Sequence, residues 1–557
     1  MRADNDWPDH SEWPRQPGLT LKFAIKSCTL IASRLTTLTR RLLREVQIMN
    51  PKAKRRPCSR TILVAAVVLS ATTADAQDPP NPPAQQSFDQ TDGILGRALA
   101  VEDIEYQIMV QRATQTAIWG MPAAGMVDFI KATRRDLGGD INDVVYLNEP
   151  LGSDDGFLTA NDVTAYCWAS LTSEPGPIVV EVPAATDKVS YFGTIVNAWD
   201  QPIADVGPAG QDKGQGGKYL LLPPGYNGKK SARELQTEGY FVFETDTYQY
   251  GFSFRPRLYN GATDKDAGDY AKRVQIYYLK DAASPPPTKH IDATGKSYDC
   301  LPYYNYTFFQ DINDYLQNNP VRPQDKVMVS LLKDLGIQKG KPFDPTERQK
   351  AAMHEGLLLA YASMQHFFVT PGKACVPLWK NDDGSLKSQW LIWDFAAGQP
   401  AAGFPYETKD SVLVDDRAGG SYFWITYLPR NLGGGTFYLT GLRDADGKMY
   451  DGQSTYKLNV PQDTPARDFW SVIVYSMETK NFIKDAKRVG LSSRDAESMQ
   501  VNDDGSYDIY LGPEAPAGLE SNWIPTGQEF FLLFRLYGPE SKDFYKTWTL
   551  GDVQKIP

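Results

Sequence analysis

Apolar positions along the chain change period three times. From about Val101 to Thr133 they recur at helical spacing, and the segment WGMP (Trp119–Pro122) is expected to kink or divide that helix. Alternation takes over in TAYCWASL (Thr164–Leu171), PIVVEVP (Pro177–Pro183), VSYFGTIVNAW (Val189–Trp199) and GYFVFETDTYQYGFSF (Gly239–Phe254). Turns rich in Gly, Pro and Asp separate these runs, the spacing of antiparallel strands in a sandwich or barrel. Helical spacing returns at Pro323–Gly336, which ends on a glycine stop, and at Asp344–Phe368. There Asp344 is placed to cap, with Pro345 at the first helical position. From Ser421 the strands resume as YFWITYLP, GTFYLTGL, STYKLNV, FWSVIVYSM, SYDIYLG and EFFLLFRLYG. The pattern predicts a β-rich α+β fold, with two antiparallel β-sandwich or jelly-roll-like domains joined by a helical middle segment. Residues 99–310 form the first domain, 311–405 the connector and 406–557 the second.

One residue breaks the pattern of the last strand. From Phe530 to Tyr537 both alternating faces are apolar, as in a strand buried on both sides, yet Arg535 shares a face with Phe531, Leu533 and Tyr537. A buried guanidinium needs a carboxylate or a bound anion, because leaving it unpaired costs several kcal/mol. Asp468 and Asp508 are the expected structural partners. A ligand anion held beside Tyr and Ser hydroxyls is the alternative.

The N-terminal region has a different character. Met49 opens a basic stretch (Lys52, Lys54, Arg55, Arg56, Arg60), followed by a short apolar run, Thr61–Ala71, and the small-x-small site Ala74-Asp75-Ala76. That is the layout of a secretory signal peptide over 49–76, and the apolar run is too short for a stable membrane span. Export to the periplasm or medium is expected. Residues 1–48 read as an extension from a start codon placed too far upstream, or less simply as an amphipathic basic helix at Leu21–Val46. Pro- and Gln-rich residues 77–98 read as a flexible leader. Without residues 1–76, which hold 13 basic and 6 acidic side chains, 45 Lys+Arg and 62 Asp+Glu remain, a net charge of −17. Nucleic acid and anionic membrane are then poor partners. Three widely spaced cysteines, Cys167, Cys300 and Cys375, make no disulfide framework, although one pair and one free thiol would fit.

Two stretches resemble known families. DFWSVIVYSMETKNFI, NDDGSYDIYLGPEAPAGLESNWIPT and FFLLFRLYGPESKDFYKTW are similar to the domain-of-unknown-function family numbered 1214. NDVTAYCWASLTSEPGPIVVEVP, GKYLLLPPGY and FRPRLYNG resemble the companion family numbered 1254, and the connector LGIQKGKPFDPTERQK resembles those of proteins carrying both. The resemblance spans roughly residues 100–555. It implies a bacterial, often exported protein and brings no assigned reaction, because family membership does not fix chemistry without a site.

Strong catalytic signatures are absent from the sequence. No GxSxG elbow or phosphate-binding loop occurs, and the glycine-rich GPAGQDKGQGGK reads as a flexible loop. HEGLLL at His354 lacks the second histidine of a zinc helix, and His290 and His366 stand far apart. DADG (Asp444–Gly447) and NDDG (Asn502–Gly505) lack the remaining ligands of a calcium loop and read as hairpin turns. No metal or nucleotide cofactor is therefore expected.

Two constellations remain. On the strand after Asn161 and Asp162, Tyr166 and Trp168 share a face, and Asn197, Trp199 and Asp200 repeat the mixture on a neighbouring strand. The second set is Trp523, Arg535 and Tyr537. The leading expectation is a cofactor-independent hydrolase- or lyase-type enzyme acting on a small or oligomeric polar compound. Asp162 and Asp200 would be its proton-transfer groups, assisted by Tyr166. Asn161, Trp168, Trp199, Trp523, Arg535 and Tyr537 would bind substrate. The alternative is a non-catalytic periplasmic ligand-binding or cell-envelope protein, and the sequence leaves room for a homo-oligomer.

Overall fold

Ten strands precede a set of central helices and ten follow it among the described residues, which are 102–393, 406–430, 436–541 and 543–557 of a computed structural model. The extension, signal-peptide and leader segments of the sequence reading lie outside them. The first ten are β1 (Val144–Tyr146), β2 (Cys167–Thr172), β3 (Ile178–Val182), β4 (Val189–Asn197), β5 (Pro202–Val206), β6 (Gly217–Leu222), β7 (Tyr240–Glu244), β8 (Gln249–Leu258), β9 (Gln275–Tyr278) and β10 (His290–Asp292). They form a six-stranded sheet, β10-β1-β2-β8-β4-β5, and a four-stranded sheet, β7-β6-β3-β9. Cys167, Ala169, Leu171, Phe252 and Phe254 of the larger sheet share a core with Val180, Tyr219 and Ile276 of the smaller, which makes a sandwich.

The second sandwich repeats the plan. Its strands are β11 (Cys375–Pro377), β12 (Leu391–Trp393), β13 (Thr436–Gly441), β14 (Thr455–Val460), β15 (Ala466–Ser476), β16 (Gly490–Ser492), β17 (Tyr507–Gly512), β18 (Trp523–Pro525), β19 (Phe530–Pro539) and β20 (Gln554–Ile556). The sheets run β11-β12-β13-β19-β15-β16 and β18-β17-β14-β20. Phe530, Leu532, Phe534 and Leu536 of β19 meet Leu458, Ile509 and Ile524 across the interior. Each such side chain contributes about 1.5–3 kcal/mol by leaving water.

The larger sheets also bury their other faces. Trp168 from one and Phe531 and Leu533 from the other enter a third core built on α1 (Ile104–Leu137), α2 (Thr307–Asn318) and α3 (Glu347–Val369). Both faces of β2 and β19 are therefore apolar, as the run 530–537 predicts. The fold is the expected mixed, β-rich α+β architecture with a helical middle.

Several local expectations need correction. Helix α1 is not divided at WGMP: it runs unbroken with Pro122 inside, buried against its neighbours. The run 239–254 is two strands in opposite sheets, β7 and β8, because the chain turns between Glu244 and Gln249. β6 and β7 pair in parallel, as do β1 with β10 and β17 with β18. YFWITYLP is no strand; Tyr422 has φ +105° and its hydroxyl donates to the Cys300 carbonyl, which anchors the segment in the central core. The connector supplies β11 and β12 to the second sandwich. Thr346, not Asp344, caps α3, because Gln349 three residues later completes a reciprocal capping box. His290 lies on β10, and its Nε2 is 2.9 Å from the Val274 carbonyl. Cys167, Cys300 and Cys375 are all buried, and no two of them form a disulfide. DADG and NDDG are turns, with Gly447 and Gly505 at φ +76° and +79°.

Candidate functional site

Alternation along β8 and β19 sends one arginine from each sandwich toward the other. On β8, Tyr250, Phe252 and Phe254 fill the first sandwich, so Ser253, Arg255 and Arg257 point outward. On β19 the same parity sends Arg535 outward, opposite Tyr438 of β13 on one side and Ser471 of β15 on the other. Between the two sheets lies a cavity of about 170 Å³ lined by Tyr166, Ser253, Arg255, Trp393, Tyr438 and Arg535, among others. Apolar walls come from Phe157, Leu158, Val206, Ile425 and Leu428.

Arg535 carries its charge there without a carboxylate in ion-pair contact among the described residues. Its Nη2 donates to the carbonyls of Thr159 (2.9 Å) and Ala160 (3.2 Å) and to the Tyr475 hydroxyl (2.5 Å). Nε and Nη1 are buried and have no hydrogen-bond partner among those residues. The expected structural partners are engaged elsewhere: Asp468 pairs with Arg257 (3.0 Å) and Arg467 (3.1 Å), and Asp508 with Lys457 (3.1 Å). The ion-pair expectation for Arg535 is therefore wrong. Parity explains it, since the strand turns this side chain away from its own sandwich and toward the cavity.

Arg255 has a related setting. Its Nη1 lies 3.2 Å from the Tyr438 hydroxyl, and its guanidinium carbon stands 5.0 Å from the centre of the Tyr166 ring. The Arg535 guanidinium is 5.4 Å from the Tyr438 ring, a cation–π distance. Burial pushes the Tyr438 phenol up, but Arg255 and Arg535 outweigh it and hold the group below its ordinary value. Tyr166 goes the other way, because burial exceeds the pull of the same two arginines. Trp393 stacks on Tyr438 at 5.3 Å and 21° between planes, extending an aromatic wall.

The remaining sequence candidates surround this cavity or lie apart from it. Asp162 and Asp200 are not among its lining residues. Asp162 Oδ1 is buried without a hydrogen-bond partner among the described residues, and burial pushes the carboxyl up to about 6 against the lowering influence of Arg535. Asp200, at φ +53° in a buried turn, accepts from the backbone N–H of Tyr427 at 3.1 Å and so fixes a wall of the cavity. Burial raises it to about 8. Asn161 donates to Thr164 Oγ1 (2.8 Å) and accepts from the Tyr537 hydroxyl (3.3 Å). Tyr537 stacks on Phe469 at 4.0 Å. Trp168 packs against Tyr298 at 5.1 Å in the central core.

Trp199 donates to the Tyr315 hydroxyl (2.7 Å) and lies under the guanidinium groups of Arg322 and Arg417. Trp523 sits in the smaller sheet of the second sandwich and donates to the Gly512 carbonyl at 2.9 Å. The structure thus brings Tyr166 and Arg535 into one cavity, sets Asp162, Asn161 and Tyr537 behind Arg535, and leaves Trp199 and Trp523 elsewhere. Arg255 and Tyr438 are the residues that sequence reasoning missed. Arg255 carried the same signal as Arg535, a cation directly following the aromatic run Phe252–Phe254.

Two family sequence models match the chain. Protein of unknown function (DUF1254) spans residues 141–278, and Protein of unknown function (DUF1214) spans residues 435–541, so the chain carries these regions in that order, one in each sandwich. No curated protein matches it. Among solved structures it is similar to the VPA0106 protein from Vibrio parahaemolyticus, with 17% identity and a TM-score of 0.47, over 81% of this chain and 100% of that one. It is also similar to a putative uncharacterized protein from Burkholderia cenocepacia, with 12% identity and a TM-score of 0.31, over 81% and 96% of the two chains.

Proposed function

We propose that the chain binds a small anionic compound, of carboxylate type with a compact apolar or ring-shaped body, between its two sandwiches. The observation that carries this reading is Arg535: a buried guanidinium that lines a cavity with two N–H groups unpartnered among the described residues. Desolvating a cation is costly, and an anion in bidentate contact offsets that cost. Arg255 gives the same cavity a second positive charge, while Trp393 and Tyr438 supply a flat surface for a ring.

The reading keeps the polar ligand expected from the sequence and moves its recognition from Asp162 and Asp200 to the arginines. It also keeps export as a proposal, resting on the basic, apolar and small-residue succession at 49–76. No described helix is long and apolar enough to cross a membrane.

The test is a thermal-shift screen with a panel of small carboxylates, sulfates and phosphates, run on the protein and on Arg535→Gln. A ligand at 100 times its Kd raises stability by about 2.7 kcal/mol. The expected result is a concentration-dependent rise for carboxylates that Arg535→Gln abolishes. A panel without any shift, or a shift that survives in Arg535→Gln, overturns the reading.

A further inference from the structure

We infer that the cavity is a catalytic site in which Tyr438 is the base and Tyr166 the acid of a β-elimination on a carboxylate that carries an oxygen substituent on its β-carbon. This rests on the anion-binding reading above and adds a reaction to it. The lining includes three guanidiniums (Arg255, Arg257 and Arg535), three phenols (Tyr166, Tyr427 and Tyr438) and the Asp205 carboxylate; Arg255 and Arg535 each touch at least one tyrosine ring or hydroxyl, those of Tyr166 and Tyr438. The two phenols come from different sandwiches, Tyr438 from β13 and Tyr166 from the lead-in to β2. A molecule in the cavity therefore meets both phenols, each of them also against Arg255.

That arrangement meets the requirements of proton abstraction beside a carboxylate. Removing the α-proton places a second negative charge on the carboxylate, and fixed guanidiniums stabilise that charge without reorganising. Tyr438 lies between the two cations, which favour its phenolate; Tyr166 is buried enough to keep its proton. Groups whose surroundings push them in opposite directions divide the acid and base roles between them.

The Tyr438 phenolate takes the proton from the α-carbon, and the C–H electron pair moves into the carboxylate as an enediolate facing Arg535 and Arg255. The pair returns to form the carbon–carbon double bond as the bond from the β-carbon to oxygen breaks. The departing oxygen takes the proton of Tyr166. The products are an unsaturated carboxylate and an alcohol, or water where the substituent is a hydroxyl, with Tyr438 protonated and Tyr166 ionised. Proton exchange with water restores both, and no oxidant, reductant or co-reactant is consumed.

The experiment incubates the protein in deuterium oxide with a panel of uronates and β-hydroxy and β-alkoxy carboxylates. NMR follows α-deuteration and alkene signals, and thermal shift reports binding in the same samples. The expected result is α-exchange or alkene formation with at least one compound that also binds. Tyr438→Phe should lower both by at least about 100-fold while keeping the thermal shift, the range for loss of a positioned base. Tyr166→Phe should retain α-exchange and lose alkene formation. Alkene formation should follow a bell-shaped pH profile, whereas α-exchange, which does not use the Tyr166 proton, should lack its alkaline limb. Binding without exchange across the panel overturns the elimination and leaves the binding reading standing. Exchange unaffected by Tyr438→Phe overturns the assignment of the base. Absence of binding overturns the premise itself.

Discussion

Tyr438 and Arg535 are cross-strand partners, directly opposite each other where β13 pairs with β19. The antiparallel ladder fixes their separation, so the guanidinium rests 5.4 Å from the phenol ring. Side chains paired in this way are held by backbone hydrogen bonds on both strands rather than by their own contacts. The charged and phenolic groups of the cavity thus sit on rigid elements.

Replacing Arg535 separates a structural from a ligand-binding role. Because no carboxylate is paired with it among the described residues, Arg535→Met should change the stability of the ligand-free protein, read by urea unfolding, by less than about 2 kcal/mol. Loss of one member of a buried ion pair would cost about 3–5 kcal/mol. The same change should abolish anion-dependent stabilisation. It should also raise Asp162 above its present value of about 6, because Arg535 is the group that lowers it.

Asp200 should make stability fall as pH rises. Its folded value, about 8, lies above the ordinary carboxylate range because of burial. The folded chain therefore holds a proton that the unfolded chain has released. The penalty begins near pH 4 and grows to about pH 8, at no more than about 1.4 kcal/mol per pH unit. In Asp200→Asn the slope of Tm between pH 5 and 8 should flatten, which thermal melts in a buffer series will show.

Gly125 should tolerate no side chain. A Cβ built there would lie 2.1 Å from the Tyr422 ring, itself fixed by its bond to the Cys300 carbonyl. Gly125→Ala should destabilise by about 1–3 kcal/mol or more through overpacking. Double substitution with Tyr422→Leu should recover part of the loss, as read from denaturant midpoints.

Trp523 is the control for the cavity. Its indole N–H is bound to Gly512 in a sheet that contributes nothing to the cavity lining. Trp523→Phe should lower stability by about 0.5–1.5 kcal/mol through the lost hydrogen bond. The Kd for any ligand found by screening should stay unchanged.

Strand parity made much of this fold legible. Phe530–Tyr537 reads as buried on both faces because apolar side chains occupy every position but Arg535, and the structure assigns one face to the second sandwich and the other to the central core. What parity does not reveal is which strand lies opposite. Tyr438 stands nearly a hundred residues before Arg535, and nothing local in TFYLTG marks it as an arginine's neighbour. The same limit hid the turn at 245–248, where one long aromatic run changes sheets. YFWITYLP failed for another reason: its rings bury well in irregular backbone when a helix offers a glycine, here Gly125, for one of them to rest on.

The central cavity takes guanidiniums from both halves of the chain, Arg255 and Arg257 from the first and Arg535 from the second, so neither half carries the charged lining alone. A duplication or exchange of one sandwich would copy a complete sandwich and only part of the charged lining. Removing the Arg255 charge should alter the field at Arg535, more than two hundred residues further along the chain. The two halves are expected to be inherited together and to vary in concert where they face each other, while their outward sheets drift independently.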